Sequence, residues 1–284
     1  MIVSTSSVGP RQMLEATEHQ LEQWLSEAKV SELRILADRV NNFYQGSPED
    51  SLKLIHRLGS HRTGEARMLA GYCMSWCATL RWSEVCSLAT TLADDSYWPV
   101  REAVTFGIRD ALVDAFDTIF PDIAPWASSS KVNLRRGYVV MTRQPAKQRT
   151  QNMSLMLDTL EKVLPDKTEY VRKNMPFALK YICANHPDLL LQYLQRWSDM
   201  SNEQVLWAVA MALTGRIART HPRESLLILG KITSDSRPYV YQAVVKAIYE
   251  IAKTSPGEVA AFLEEWEVDP KRRQIASQVR GKLK

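Results

Sequence analysis

The chain has 284 residues, of which 45% are hydrophobic and 24% charged, with a net charge of +4 and 4 cysteines. That balance belongs to a folded chain rather than a disordered one, and no apolar run reaches the ~18–20 residues that cross a bilayer. The charge is too small to establish a polyanionic partner by itself, so its distribution matters more than its sum.

The first twenty residues carry no basic start followed by an apolar stretch, so no secretory signal is expected and the cytoplasm is the expected compartment. Residues 12–60 read as helices out of phase with the remainder of the chain, and are expected to form an N-terminal helical cap over the first core face. From 61 to 284 the chain repeats. Ala66, Val100, Leu134, Val171, Val205, Val240 and Ile275 hold one slot, at spacings of 34, 34, 37, 34, 35 and 35. A turn recurs in phase as His186-Pro187, His221-Pro222 and Ser255-Pro256. Proline is tolerated there because a first-turn residue has no intrahelical partner for its N–H. Apolar residues follow helical spacing, as in Val205, Ala208, Val209, Ala212 and Leu213, and no β-branched alternation predicts a strand. The period also suits tetratricopeptide repeats, but their W-x-x-L-G signature is missing, as is the ankyrin T-P-L-H. The expected fold is therefore all-α: a single domain over 1–284, built as a HEAT-like solenoid of two-helix repeats. It should form a right-handed superhelix whose second helices line a concave basic groove.

Cys73 and Cys77 lie one helical turn apart, but Cys86 and Cys183 are distant and no histidine pair completes a zinc pattern. Reduced, mostly buried thiols are expected. Between Asp122 and Asp158 there is no acidic residue, while Lys131, Arg135, Arg136, Arg143, Lys147 and Arg149 fall inside that window. Such a run is either a solvated face or a phosphate-binding patch. The residue after the slot is Arg67, Arg101, Arg135 and Arg172 in four successive units. Repeated in phase, these guanidiniums share one surface and serve either to clamp neighbouring repeats or to hold a ligand. In the pair Arg135-Arg136 one side chain can do the first while the other does the second. Trp98 and Glu102 are four apart at the start of a helix, which puts an aromatic plane and a carboxylate on one face. Packing for the tryptophan and a favourable dipole contact for the glutamate are the bland alternative.

The segments SYWPVREAV, PWASSSKVNLRRGYVV and EYVRKNMPFALKYICANHP, within a stretch from about Glu65 to Thr220, resemble the DNA alkylation-repair glycosylases of the AlkC/AlkD type. The resemblance implies that Trp98 and Glu102 form the catalytic start of one helix, and that Arg136, the second arginine of its pair, contacts phosphate. It also implies that Phe177 closes an aromatic cleft. The AlkD pattern has aspartate where this chain has Glu102, although AlkC-type members have glutamate there, and it has tryptophan where this chain has Phe177. Lys131, Arg101, Arg135, Arg143, Lys147, Arg172 and Lys173 complete the expected DNA-binding set around Arg136.

Breaking an N-glycosidic bond builds positive charge on the deoxyribose. A carboxylate beside it stabilises that charge and orients water, a part Glu102 can play. Trp98 and Phe177 can face a cationic sugar or alkylated base, at about 0.5–2 kcal/mol per contact. The implied substrate is double-stranded DNA bearing alkylated or bulky modified bases, from damage or from invading phage DNA, held at the duplex surface without an enclosing pocket. With no P-loop, dinucleotide fingerprint or HExxH, no metal or nucleotide cofactor is expected. A monomer is expected. The alternatives are a non-catalytic DNA-binding solenoid with the same groove, and a protein-binding scaffold in which Trp98 and Phe177 are core residues. Exposure of Trp98 and Glu102 tells the first two readings from the third.

Overall fold

A computed structural model of the chain describes residues 8–143, 149–233, 235, 237–270 and 272–283. Among them the regular structure is helical and no strand occurs. Two compact units are formed, residues 1–141 and 142–284. The boundary falls in the one slot interval of 37 residues, between Leu134 and Val171.

The first unit opens with α1 (Pro10–Glu15), α2 (Glu18–Leu25), α3 (Val30–Phe43) and α4 (Pro48–Gly59). The start of α2 is written in its sequence. The Thr17 hydroxyl accepts the Gln20 N–H at 3.2 Å, and the Gln20 side chain returns to accept the Thr17 N–H at 2.7 Å. Pro10 and Pro48 occupy first-turn positions of α1 and α4. Leu33, Leu36 and Val40 on α3, with Leu54, Ile55 and Leu58 on α4, are buried at helical spacing. Next come α5 (Gly64–Leu92), α6 (Trp98–Asp114), α7 (Phe116–Ile123), a 3-10 turn (Ala124–Ser128) and α8 (Val132–Met141).

The second unit comprises α9 (Thr150–Leu160), α10 (Glu169–Arg172), α11 (Met175–Asn185), α12 (Pro187–Trp197) and α13 (Glu203–Ala212). It continues through α14 (Arg216–Thr220), α15 (Pro222–Ile232), α16 (Pro238–Ala252), α17 (Pro256–Val268) and α18 (Arg273–Leu283). Its core includes Trp197 and Trp266, both fully buried. The Trp197 Nε1–H donates to Glu161 at 2.8 Å, as a buried indole requires.

The repeat is visible in the backbone. Each of the seven slot residues is the third residue of its helix, in α5, α6, α8, α10, α13, α16 and α18, and each is buried. The turn between paired helices also recurs. His186, His221 and Ser255 have φ of −133°, −136° and −137° with ψ of 58°, 60° and 59°. Arg81, inside α5, and Ala115, after α6, adopt nearly the same conformation at φ −133°, ψ 39° and φ −131°, ψ 43°. The long α5 is therefore two helices of one repeat, and the turn forms without the proline that marks it in the later units.

The tightest packing in the first unit joins α5 to α6. A Cβ added to Gly107 would lie 2.1 Å from the Gly71 carbonyl oxygen, and one added to Gly71 would lie 2.7 Å from the Val104 nitrogen. Glycine at both positions lets two backbones touch, and so fixes the height of α6 on its neighbour. Cys73, Cys77 and Cys183 are buried and none of the four thiols is bonded to another. Burial pushes the Cys73 thiol well above its ordinary value. Among the described residues no helix is long and apolar enough to cross a membrane, and no cluster of three His, Cys, Asp or Glu could hold a metal ion.

Candidate active site

The loop before α6 is held at several points before the helix begins. Arg67 donates from Nε and Nη2 to the two carboxylate oxygens of Asp95, at 2.7 and 3.2 Å, and from Nη1 to the carbonyls of His61 and Arg62 at 2.9 and 2.8 Å. Asp95 in turn accepts the Tyr97 N–H at 2.8 Å. Arg101 reaches back to the carbonyls of Asp95 and Ser96 at 2.5 and 3.1 Å. The Tyr97 ring lies so close over Gly64 that a Cβ there would meet it at 2.3 Å. What this lattice presents is Trp98, the first residue of α6, with 60% of its surface open to solvent. An indole so exposed is not a core residue.

Asp95 is the hub of the loop, and both it and Arg67 are largely buried. Asp95→Ala should cost about 3 kcal/mol, because removing one partner leaves the other charge buried without a counter-charge. Urea unfolding checks this, and an unchanged midpoint would mean that the loop is held by the carbonyl contacts alone. Asp95→Asn, which can still cap Tyr97, should recover part of the loss.

Glu102 stands one helical turn beyond Trp98. Its carboxylate is ion-paired with the Arg136 guanidinium from α8, and the two side chains are only 16% and 11% exposed. Arg136 is thus turned inward onto Glu102, where the resemblance implies a phosphate contact. Trp126 is buried beside this helix; a Cβ on Gly137 would meet its ring at an ordinary 3.7 Å.

The arginine row is mostly structural in its contacts. Arg135 donates to the carbonyls of Ser129 and Ser130 at 2.8 and 3.0 Å, six and five residues back, as Arg67 and Arg101 do to theirs. Each straps the incoming loop to the first turn of its helix. Lys131 is exposed and pairs with Asp94 at 2.9 Å. Burial works against the charge on Asp94, but hydrogen bonds from Lys131 and Asn133 outweigh it and hold the carboxyl below its usual value. The acid-free window therefore borrows its carboxylates, Asp94 and Glu102, from the preceding repeat.

In the second unit Phe177 on α11 is 59% exposed, and so not core either. The Arg143 guanidinium lies 5.9 Å from its ring centre and donates to the Asn174 side chain. Tyr181, one turn along, is equally exposed, a second aromatic on the same helix face. Lys173 is exposed and paired with Glu169. Arg172 departs from the row. It hydrogen-bonds the Tyr239 hydroxyl and lies over the rings of Trp207 and Tyr239, at 5.8 and 5.1 Å, which themselves stack at 5.0 Å. Lys147 lies outside the described residues.

The first unit therefore brings together Trp98, Glu102, Arg101, Arg135, Arg136 and Lys131, and the second holds Phe177, Arg143, Arg172 and Lys173. Asp95, which with Tyr97 sets the position of Trp98, lies just before the SYWPVREAV segment and has no motif to announce it. A family model described as DNA alkylation repair enzyme matches residues 27–211, about two thirds of the chain. No curated protein matches it.

Proposed function

The chain belongs to the DNA alkylation repair enzyme family, and from that membership we propose that it is a DNA glycosylase acting on alkylated or bulky modified bases in double-stranded DNA. The observation that carries this reading is an indole presented to solvent at the head of α6 with a fixed carboxylate one turn behind it. Trp98 offers its face to a cationic base or sugar from outside the fold. Glu102 supplies negative charge where the glycosidic bond, as it breaks, leaves positive charge on the deoxyribose, and orients the attacking water. Arg136 acts through Glu102: the ion pair fixes the carboxylate before substrate arrives, so no reorganisation is needed at the moment of reaction. The product is an abasic site. Nothing in this scheme needs the base to be enclosed, which suits large adducts.

The test is incubation with DNA carrying cationic N-alkylated or bulky modified bases, followed by counting alkali-labile breaks. Release of base supports the reading. Binding without release from any such DNA would leave a binding module whose Glu102–Arg136 pair is structural.

Binding to duplex should be largely independent of sequence and should weaken steeply with salt, since Lys and Arg contacts to phosphate release counterions. Anisotropy titrations at low and high salt read this directly. Equal affinity at both would remove phosphate contact from the scheme.

A further inference from the structure

The repeats beyond residue 211 lie outside the matched family segment, yet they keep the register of the candidate site. Glu102 and Arg136 each stand two residues after a slot residue; beyond residue 211 so do Gln242 and Ser277. Gln242 and Ser277 line an open cleft of about 770 Å³ between α16 and α18. Its polar lining is Tyr241, Gln242, Arg273, Gln274, Ser277 and Gln278. Every one of these side chains can donate a hydrogen bond, and no carboxylate lines the cleft. The Arg273 Nε donates to the Glu267 carbonyl at 2.9 Å, which fixes its guanidinium at the rim. Just before it in the same row, the stacked rings of Trp207 and Tyr239 hold the Arg172 guanidinium.

We infer that this cleft is a second DNA contact, taking the phosphodiester backbone of duplex DNA. A run of neutral amide and hydroxyl donors with one guanidinium is the chemistry that grips phosphate and sugar oxygens without reading sequence. The cleft is open to solvent, which suits a polymer rather than an enclosed small molecule. With one fixed cation and no carboxylate in the lining, the charge of the cleft favours an acidic ligand over a cationic one. The inference rests on the DNA-binding reading above and adds to it a footprint: a contact made mostly by uncharged groups, remote in sequence from Trp98 and Glu102.

The experiment uses the full chain and fluorescent unmodified duplexes, one short and one long. In Gln242→Ala/Gln274→Ala, both side chains being exposed, the fold should be intact by thermal melt. Affinity for the long duplex should fall about a hundredfold or more, as expected for two lost hydrogen bonds to charged phosphates, with that for the short duplex unchanged. The salt slope should stay as in wild type because no cation has been removed. Arg273→Ala should instead lower the slope by about one. Gln242→Glu/Gln274→Glu should bind the long duplex more weakly than the alanine pair, by repulsion. Base release at saturating DNA should match wild type in all of them. If wild type binds duplex and the glutamine variants equal it at both lengths, the cleft is no DNA contact and the proposed activity stands. If wild type binds no duplex at any salt, both readings fall together.

Discussion

Glu102→Gln should bind modified DNA about as well as wild type and release base about 10²–10³-fold more slowly, the usual effect of removing one preorganised electrostatic group. The amide keeps the shape of the side chain, still accepts a hydrogen bond from Arg136, and can still hold a water. It lacks the negative charge that favours the oxocarbenium-like state. The complication is the ion pair itself. Because both side chains are largely buried, neutralising Glu102 leaves Arg136 without its counter-charge, and removing a buried partner outright costs about 3–5 kcal/mol. Rates must therefore be read well below the melting midpoint of the variant. Arg136→Met separates the two effects. It should destabilise the first unit by a similar amount but slow base release less than Glu102→Gln, since the carboxylate remains. Full base release by Glu102→Gln, on a substrate that wild type processes, would rule out the charge-stabilisation mechanism. Equal slowing by both variants, tracking their loss of stability, would make the pair structural and nothing more.

Much of the fold was legible because a repeat states its core position several times. One apolar slot, read at intervals of 34 to 37 residues, turned out to be the third residue of a helix in every unit. The recurring His-Pro and Ser-Pro turn was legible for the same reason. The equivalent turns at Arg81 and Ala115 were not, because there the backbone takes the same bend with tryptophan and phenylalanine following instead of proline. The site was legible as residues but not as partners. Glu102 and Arg136 sit in one register, 34 residues apart, and it is that register which sets them side by side in successive repeats. Read along the chain, the arginine falls in an acid-free window and looks like a phosphate ligand. Lys131 likewise has a partner that the window does not show, since Asp94 comes from the repeat before. Charge patterning along a sequence sees neighbours in the chain, whereas a stacked repeat pairs residues one period apart. Asp95 carries no signal of its own, because its partner, Arg67, is 28 residues away and its role is to hold a loop.

Gly107→Ala should destabilise the protein by about 1–3 kcal/mol or somewhat more, against a general gain of about 1 kcal/mol when alanine replaces glycine inside a helix. The reason lies in what the new methyl would meet. Its nearest neighbour, at 2.1 Å, is the Gly71 carbonyl oxygen, a backbone atom inside α5 with no rotamer to change. Relief requires α6 to lift from α5, and α6 carries Trp98 at its first turn and Glu102 at its second. Loss of stability should therefore come with loss of base release even where the variant is folded, because a shift of the helix moves the indole and the carboxylate away from the positions that Arg67, Asp95 and Arg136 define. Gly137→Ala is the control. The nearest atoms its methyl would meet are the Thr105 hydroxyl and the Trp126 ring, at an ordinary 3.7 Å, so helix propensity should dominate and the melting midpoint should hold or rise. Thermal melts of the two variants beside wild type decide the matter. A Gly107→Ala protein that melts with wild type would mean that α5 and α6 separate at little cost, and the placement of Trp98 and Glu102 would then have to come from the loop contacts at Asp95 and from Arg136 alone.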